Sequence, residues 1–195
     1  VLVVSPHYFL KRMNEAALLA HFHAVADASP LPVMLYNIPV YAHVVLSPAL
    51  IHEMAQHENV IGMKDSAGNL PVLADYLGAQ SDTFSVLTGS GATAVSALHA
   101  GVRGAILAIA LFAGGQVRDM VDLFRAGRID EAEAMQARVK PLATDIAAAM
   151  GPAGIKAAMT MAGLEGGPPR SPLLAVAGDE LATVRARLAA AGVIA

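Results

Sequence analysis

Short apolar runs alternate along this chain with amphipathic stretches, and the alternation predicts strands and helices in turn. Val1 to Ser5 reads as a strand stopped by Pro6. Asn14 to Ala28 reads as a helix, capped by Asn14, with Leu18, Leu19, Phe22 and Val25 as its apolar stripe. Pro32 precedes the strand Val33 to Asn37, which Pro39 ends. Ser47-Pro48 opens the next helix, with proline at the first position, where no N–H is needed. Val60 to Lys64 is the third strand and Asn69 to Leu77 the helix after it. Phe84 to Thr88 is the fourth strand, and after Gly89-Ser90-Gly91 a helix runs to Ala100. Gly104 to Ala108 is the last strand, with a helix from near Gly115.

Five strand-then-helix units in succession favour parallel strands joined by helical crossovers, an α/β fold. Beyond Gly127 the pattern changes. Arg128 to Met150, Gly154 to Ala162 and Gly178 to Ala191 all read as helix, linked through Gly166-Gly167-Pro168-Pro169. The expected architecture is a partial TIM (β/α)8 barrel over residues 1–127, made of its last five units, and a C-terminal helical region over 128–195. A full barrel takes about 200 to 250 residues, so the first three units are expected to be missing. Val1, a non-methionine start inside an apolar run, fits a partial sequence, in which a targeting segment would be invisible. An open doubly wound sheet is the alternative that the same pattern allows.

Composition narrows the chemistry. Apolar residues make up 55% of the chain and charged residues 15%, enough for a large core. No run approaches the ~20 apolar residues of a membrane-spanning helix. The net charge of −3 shows no attraction for nucleic acid or an anionic membrane. The absence of cysteine excludes disulfides, thiolate catalysis and zinc–thiolate sites.

Lysine is scarce: Lys11, Lys64, Lys140 and Lys156 are the whole set. Lys64 ends the strand Val60-Ile61-Gly62-Met63-Lys64, where alternation puts Val60, Gly62 and Lys64 on one face. Strand C-termini form the active-site mouth of a barrel, and a lysine partly withdrawn from water there favours its neutral, nucleophilic form. Such an amine condenses with a ketone to an imine. Gly62, one step below, is expected to leave room for a ligand. Tyr36 also ends a strand, one unit earlier, where a phenol can relay protons around an imine carbon. The competing readings are a lysine that snorkels to water and a core tyrosine bonded to a carbonyl.

The segments Tyr36-Asn37-Ile38-Pro39 and Gly62-Met63-Lys64-Asp65-Ser66-Ala67-Gly68-Asn69, in this order, resemble the dihydrodipicolinate synthase / N-acetylneuraminate lyase family. Ser5-Pro6-His7-Tyr8 and Gly89-Ser90 fit the same family, and the similarity runs from end to end. The resemblance implies a class I aldolase or lyase, with Lys64 forming a Schiff base with a 2-oxo acid, usually pyruvate, and Tyr36 as the catalytic phenol. It implies that Tyr8 reaches into a neighbouring subunit's site as part of a proton relay, and that Gly89 and Ile106 line the pyruvate pocket. It also implies a cytoplasmic homo-oligomer, a tetramer built as a dimer of dimers, with no metal or organic cofactor.

Two departures bear on activity. The family's Gly-Thr-Thr-Gly-Glu segment, which binds the pyruvate carboxylate, does not occur in this sequence. Tyr41 stands where the synthases carry an arginine that grips the aldehyde substrate's carboxylate, and a phenol does not replace a bidentate guanidinium. Gly154-Ile155-Lys156 and Gly166-Gly167-Pro168-Pro169-Arg170-Ser171-Pro172 look closer to 4-hydroxy-2-oxoglutarate aldolases, which release pyruvate and glyoxylate. That cleavage is the expected activity, with dihydrodipicolinate synthesis or another 2-keto-3-deoxy sugar-acid aldolase or dehydratase as the alternative. A catalytically incomplete chain that serves as an assembly module is the alternative of another class, since two apolar strand edges, Val1 to Val4 and Gly104 to Leu107, would invite self-association.

The other signals are weaker. His7, His21, His23, His43, His52, His57 and His99 include no pair at metal-binding helical spacing around a glutamate. Thr88-Gly89-Ser90-Gly91 is read as a tight loop at the substrate carboxylate in preference to a phosphate site. The charges of Asp130 to Lys140 suit a solvated helix face, and Asp65 points away from Lys64 by alternation.

Overall fold

The first four strands of this chain are each followed within three residues by a proline or a glycine, and the computed structural model, which describes residues 1–195, turns those stops into a regular βα succession. Strands β1 (Leu2–Val4), β2 (Val33–Asn37), β3 (Val60–Asp65), β4 (Ser85–Thr88) and β5 (Gly104–Ala105) form one sheet. Every neighbouring pair is parallel and the order is β1-β2-β3-β4-β5. A doubly wound sheet reverses its strand order at a switch point. This one advances by one strand each time, as successive barrel units do.

Helix α1 (Glu15–Ala28) starts where the Asn14 side chain accepts the Ala17 N–H at 2.9 Å. After β2 comes a short turn of helix, α2 (Pro39–Ala42), which the sequence pattern does not predict. Helix α3 (Pro48–Met54) has Pro48 in its first turn, and the Ser47 hydroxyl accepts the Leu50 N–H at 3.1 Å. Helix α4 (Leu70–Leu77) is capped by Asn69, and α5 spans Ala94–Ala100. The apolar faces of these elements bury Phe22, Leu35, Leu50, Ile51, Met54, Met63, Tyr76 and Phe84 almost completely. At about 1.5 to 3 kcal/mol per large side chain, this burial is the main force holding the βα units together.

The chain divides into two compact units, Val1–Ser90 with Ser96–Ile106, and Gly91–Val95 with Leu107–Ala195. In the second, α6 (Ala110–Arg125) packs on α7 (Ile129–Pro141) and α8 (Gly151–Met161), and α8 packs on α9 (Asp179–Ala190). Gln136 on α7 donates to Gly91 O at 2.8 Å and accepts from Val95 N at 3.1 Å, which ties the Gly91–Val95 segment into this unit. The sequence pattern assigns α6 to the barrel and sets a boundary after Gly127, whereas the packing puts α6 with the helices that follow it. No helix is long and apolar enough to cross a membrane.

Three local features differ from expectation, each for a physical reason. The predicted last strand, Gly104 to Ala108, shrinks to two residues, and α6 starts at Ala110 with a break at Ala113. The predicted helix Arg128 to Met150 changes after Pro141 to the wider π-helical turn of Leu142–Ala148, since proline brings no N–H to the regular ladder. In β3, Val60 pairs with Val33 but Gly62 pairs with Met34, so Ile61 is an extra residue. The bulge puts Val60 on the face of Val33 and Leu35, not on that of Lys64.

Candidate active site

Parallel register sets Tyr36 of β2 directly beside Lys64 of β3, one rung above Met34 beside Gly62. Both side chains leave the same face at the C-terminal ends of their strands. Lys64 Nζ donates to the Tyr36 hydroxyl at 3.1 Å and stands 4.2 Å from the centre of the phenol ring. The Ser66 hydroxyl donates to the same Tyr36 oxygen at 3.4 Å. An amine, a phenol and an alcohol thus converge at the C-terminal ends of two adjacent strands.

Two glycines make that convergence possible, and only one does so as expected. A Cβ at Gly89 would lie 1.9 Å from Ser66 Oγ and 2.5 Å from Lys64 Cε, so position 89 must be bare for the lysine to lie where it does. A Cβ at Gly62 would lie 2.3 Å from the Ser85 carbonyl oxygen. The space expected there for a ligand is taken by the backbone of β4, and Gly62 serves the close approach of two strands.

Backbone bonds carry the strand ends further. Ser66 N donates to Asn37 O at 2.9 Å, and Gly89 N donates to Asp65 O at 2.6 Å, so the loops after β2, β3 and β4 are tied side by side. Behind them, on the face away from Lys64, Asn37 Nδ2 donates to Asp65 Oδ1 at 2.7 Å. Asn37 Oδ1 accepts the Leu46 N–H at 3.1 Å, and the Tyr76 hydroxyl donates to Leu46 O at 2.6 Å. Burial pushes the Asp65 carboxyl above the ordinary carboxylate value, against the opposing pull of its hydrogen bonds from Asn37, Ala67 and Gly68. Burial, with the charges of Asp65 and Asp75, pushes the Tyr76 phenol up to about 12.

The other expected site residues lie apart from the pair. Tyr8 is 86% exposed, its ring edge-on to Phe9 with centroids 4.9 Å apart, and no contact joins it to Lys64 or Tyr36. Ile106 follows β5, two strands from β3, is 42% exposed, and donates its N–H to Thr88 O at 2.9 Å. The histidines do not converge with acidic side chains into a metal-binding group of three or more. His57 pairs with Asp27 at 3.0 Å and His23 with Glu53 at 3.6 Å.

Sequence reasoning missed Ser66 and the Asn37–Asp65–Tyr76 network as parts of the site. Ser66 was visible as a hydroxyl two residues past the lysine. The signal for the network was a pair of polar residues, Asn37 and Asp65, at positions where alternation predicts burial.

A sequential parallel βα sheet with a lysine–phenol pair at its strand C-termini belongs to the α/β class that assembles its chemistry at that end of a barrel. Within that class, this chain belongs to the dihydrodipicolinate synthetase family, whose model matches residues 1–191. A 4-hydroxy-tetrahydrodipicolinate synthase from an Exiguobacterium species is 32% identical over 97% of this chain and 63% of its own length. The dihydrodipicolinate synthase of Bacillus anthracis superposes with a TM-score of 0.91 at 27% identity, over 97% of this chain and 64% of that one. The Acinetobacter baumannii synthase, solved in complex with pyruvate, superposes with a TM-score of 0.88 at 27% identity, over 99% of this chain and 66% of that one. The chain therefore spans about three-fifths of the length of the curated relatives it matches, 63% and 59% for two of them. These relatives carry the synthase name, so they favour that alternative over the expected 4-hydroxy-2-oxoglutarate aldolase, for which they offer no specific support.

Proposed function

We propose that Lys64 forms a Schiff base with a 2-oxo acid, pyruvate first among them, and that Tyr36 moves the protons of the reaction. The observation that carries this reading is the 3.1 Å contact between amine and phenol on adjacent strand ends of a family member. Neutral Lys64 Nζ adds to the ketone carbon to give a carbinolamine. Its hydroxyl leaves as water once protonated, and the nitrogen lone pair closes the imine. Tyr36 is within reach to give and retake that proton. Loss of a methyl proton from the pyruvate imine leaves an enamine, whose carbon then forms a bond to an aldehyde. Hydrolysis of the resulting imine frees the lysine.

Condensation of pyruvate with an aldehyde is the reading that the synthase relatives support. One observation favours cleavage of 4-hydroxy-2-oxoglutarate to pyruvate and glyoxylate instead: Tyr41, exposed on α2, stands where an aldehyde-gripping arginine is expected. In either direction Gly89 gives the imine room, Ile106 lines the approach from β5, and exposed Tyr8 suits a role in a neighbouring copy of the chain.

Borohydride trapping tests the shared step. Incubation with pyruvate, reduction, digestion and mass mapping should place a reduced pyruvyl adduct on Lys64. Lys64→Arg should abolish it, and Tyr36→Phe should slow it by about a hundredfold or more. A folded chain that gives no adduct at Lys64 overturns the proposal. Release of pyruvate from 4-hydroxy-2-oxoglutarate by the same protein separates the cleavage reading from the synthase one.

A further inference from the structure

We propose that Asp65, acting through Asn37, is the positioning residue that holds Lys64 and Tyr36 in hydrogen-bonding register from the opposite face of the sheet. The inference rests on the imine reading of Lys64 and adds to it the device that sets its geometry.

Two consecutive rungs of the β2–β3 ladder carry the argument. Tyr36 pairs with Lys64, and the next residues, Asn37 and Asp65, pair with each other. Since side chains alternate, the first pair faces the site and the second faces away. The second pair is closed by the 2.7 Å bond from Asn37 Nδ2 to Asp65 Oδ1, with both residues at most 2% exposed. Asp65 Oδ1 accepts here, so it holds the Asn37 amino group toward β3 and leaves the Asn37 oxygen for the Leu46 N–H. Asp65 Oδ1 also accepts the Ala67 N–H at 3.3 Å, which anchors the loop carrying Ser66. The carboxylate therefore fixes the relative height of the two strand ends and the path of the chain just after the lysine.

Stability does not explain the residue. Asp65 has no cationic partner in the structure, and burial raises its pKa despite three hydrogen-bonding neighbours. A group with a raised folded-state pKa favours the fold most when protonated, and that contribution is lost as pH rises through the folded value. Ionising this buried, cation-free carboxyl therefore lowers stability, so its place is better explained by the geometry it sets than by the stability it adds.

The test pairs stability with rate in Asp65→Asn, Asn37→Asp and the double swap. Asp65→Asn should melt no lower than wild type at neutral pH, yet form the trappable pyruvate adduct about tenfold to a hundredfold more slowly. Asn37→Asp sets two carboxylates together and should be slow as well. The swap restores one donor facing one carboxylate and should recover most of the rate. A folded Asp65→Asn variant with wild-type trapping overturns the clamp, as does a slow one whose rate the swap fails to rescue. If wild type itself forms no adduct, the imine reading falls alone, and crystal structures then decide the clamp. Asp65→Asn should lengthen the Lys64 Nζ to Tyr36 hydroxyl separation beyond hydrogen-bond reach, and an unchanged 3.1 Å overturns it.

Discussion

One added methyl group at position 89 separates a role in the site from a role in the fold. Alanine there would put its Cβ 1.9 Å from Ser66 Oγ and 2.5 Å from Lys64 Cε, and both atoms belong to side chains that can rotate away. The fold should survive Gly89→Ala with a loss of about 1 to 3 kcal/mol, while the lysine leaves its place beside Tyr36. The expected outcome is a fall in pyruvate trapping at Lys64 of about a hundredfold, measured with circular dichroism as the control for folding. Tyr76 gives a second residue-scale prediction. Its folded phenol is pushed up to about 12 from an ordinary 10.0, so the unfolded chain loses that proton first as pH rises. The stability that Tyr76 contributes is whole below the unfolded value and is lost as pH climbs through 10 toward 12. Urea titrations across that interval should show a steeper alkaline loss in wild type than in Tyr76→Phe. Lys64 and Tyr36 were legible in the sequence because each ends an apolar strand. Asp65 was legible only as a polar residue facing away from Lys64, and the part of Tyr76 not at all, because a hydrogen bond reaching from helix α4 leaves no periodic signature.

Elements were legible where a side chain announces their start. Asn14, Ser47 and Asn69 each accept a backbone N–H from the first turn of the helix they precede, so the helix starts lie at or within one residue of their predicted positions. Ser47 does more than cap: its hydroxyl also donates to Glu15 Oε2 at 2.8 Å, linking the starts of α3 and α1. Ser47→Ala should cost about 1 kcal/mol, at the upper part of the range for an isolated cap if the Glu15 bond adds to it. A double-mutant cycle with Glu15→Gln, read by chemical denaturation, measures that addition, and a non-zero coupling is the expected result. Where no capping residue stands, prediction slipped. The chain after Gly104 is apolar enough for a longer strand, but Leu107 and Ala108 instead accept the first N–H groups of α6, so the run ends as a helix start. Neither the bulge at Ile61 nor the wide turn after Pro141 could be read, since both depend on pairing across or along elements and not on residue type.

At the scale of the whole molecule, the question is what covers the outer strands. β1 pairs only with β2, and it presents Leu2 and Val4, 41% and 42% exposed, on the face that also bears Tyr36 and Lys64. An apolar edge strand with free N–H and C=O groups is a template for another chain. The parallel succession of strands was legible in the alternation of runs, but partnership between chains was not, because an apolar run reads the same whether its neighbour is the same molecule or another. For a chain spanning about three-fifths of its relatives' length, concentration-dependent association is the expected behaviour, and Leu2→Lys, which puts a charge on the exposed face of β1 without touching a buried side chain, should weaken it. Sedimentation velocity of the two proteins at matched concentrations measures this: wild type should run above the monomer mass and Leu2→Lys should move toward it. If wild type runs as a monomer at every concentration, both the oligomeric site suggested by exposed Tyr8 and the assembly-module reading lose their footing. If Leu2→Lys turns monomeric and still traps pyruvate at Lys64, the imine chemistry belongs to the single chain, and assembly serves the steps that follow it.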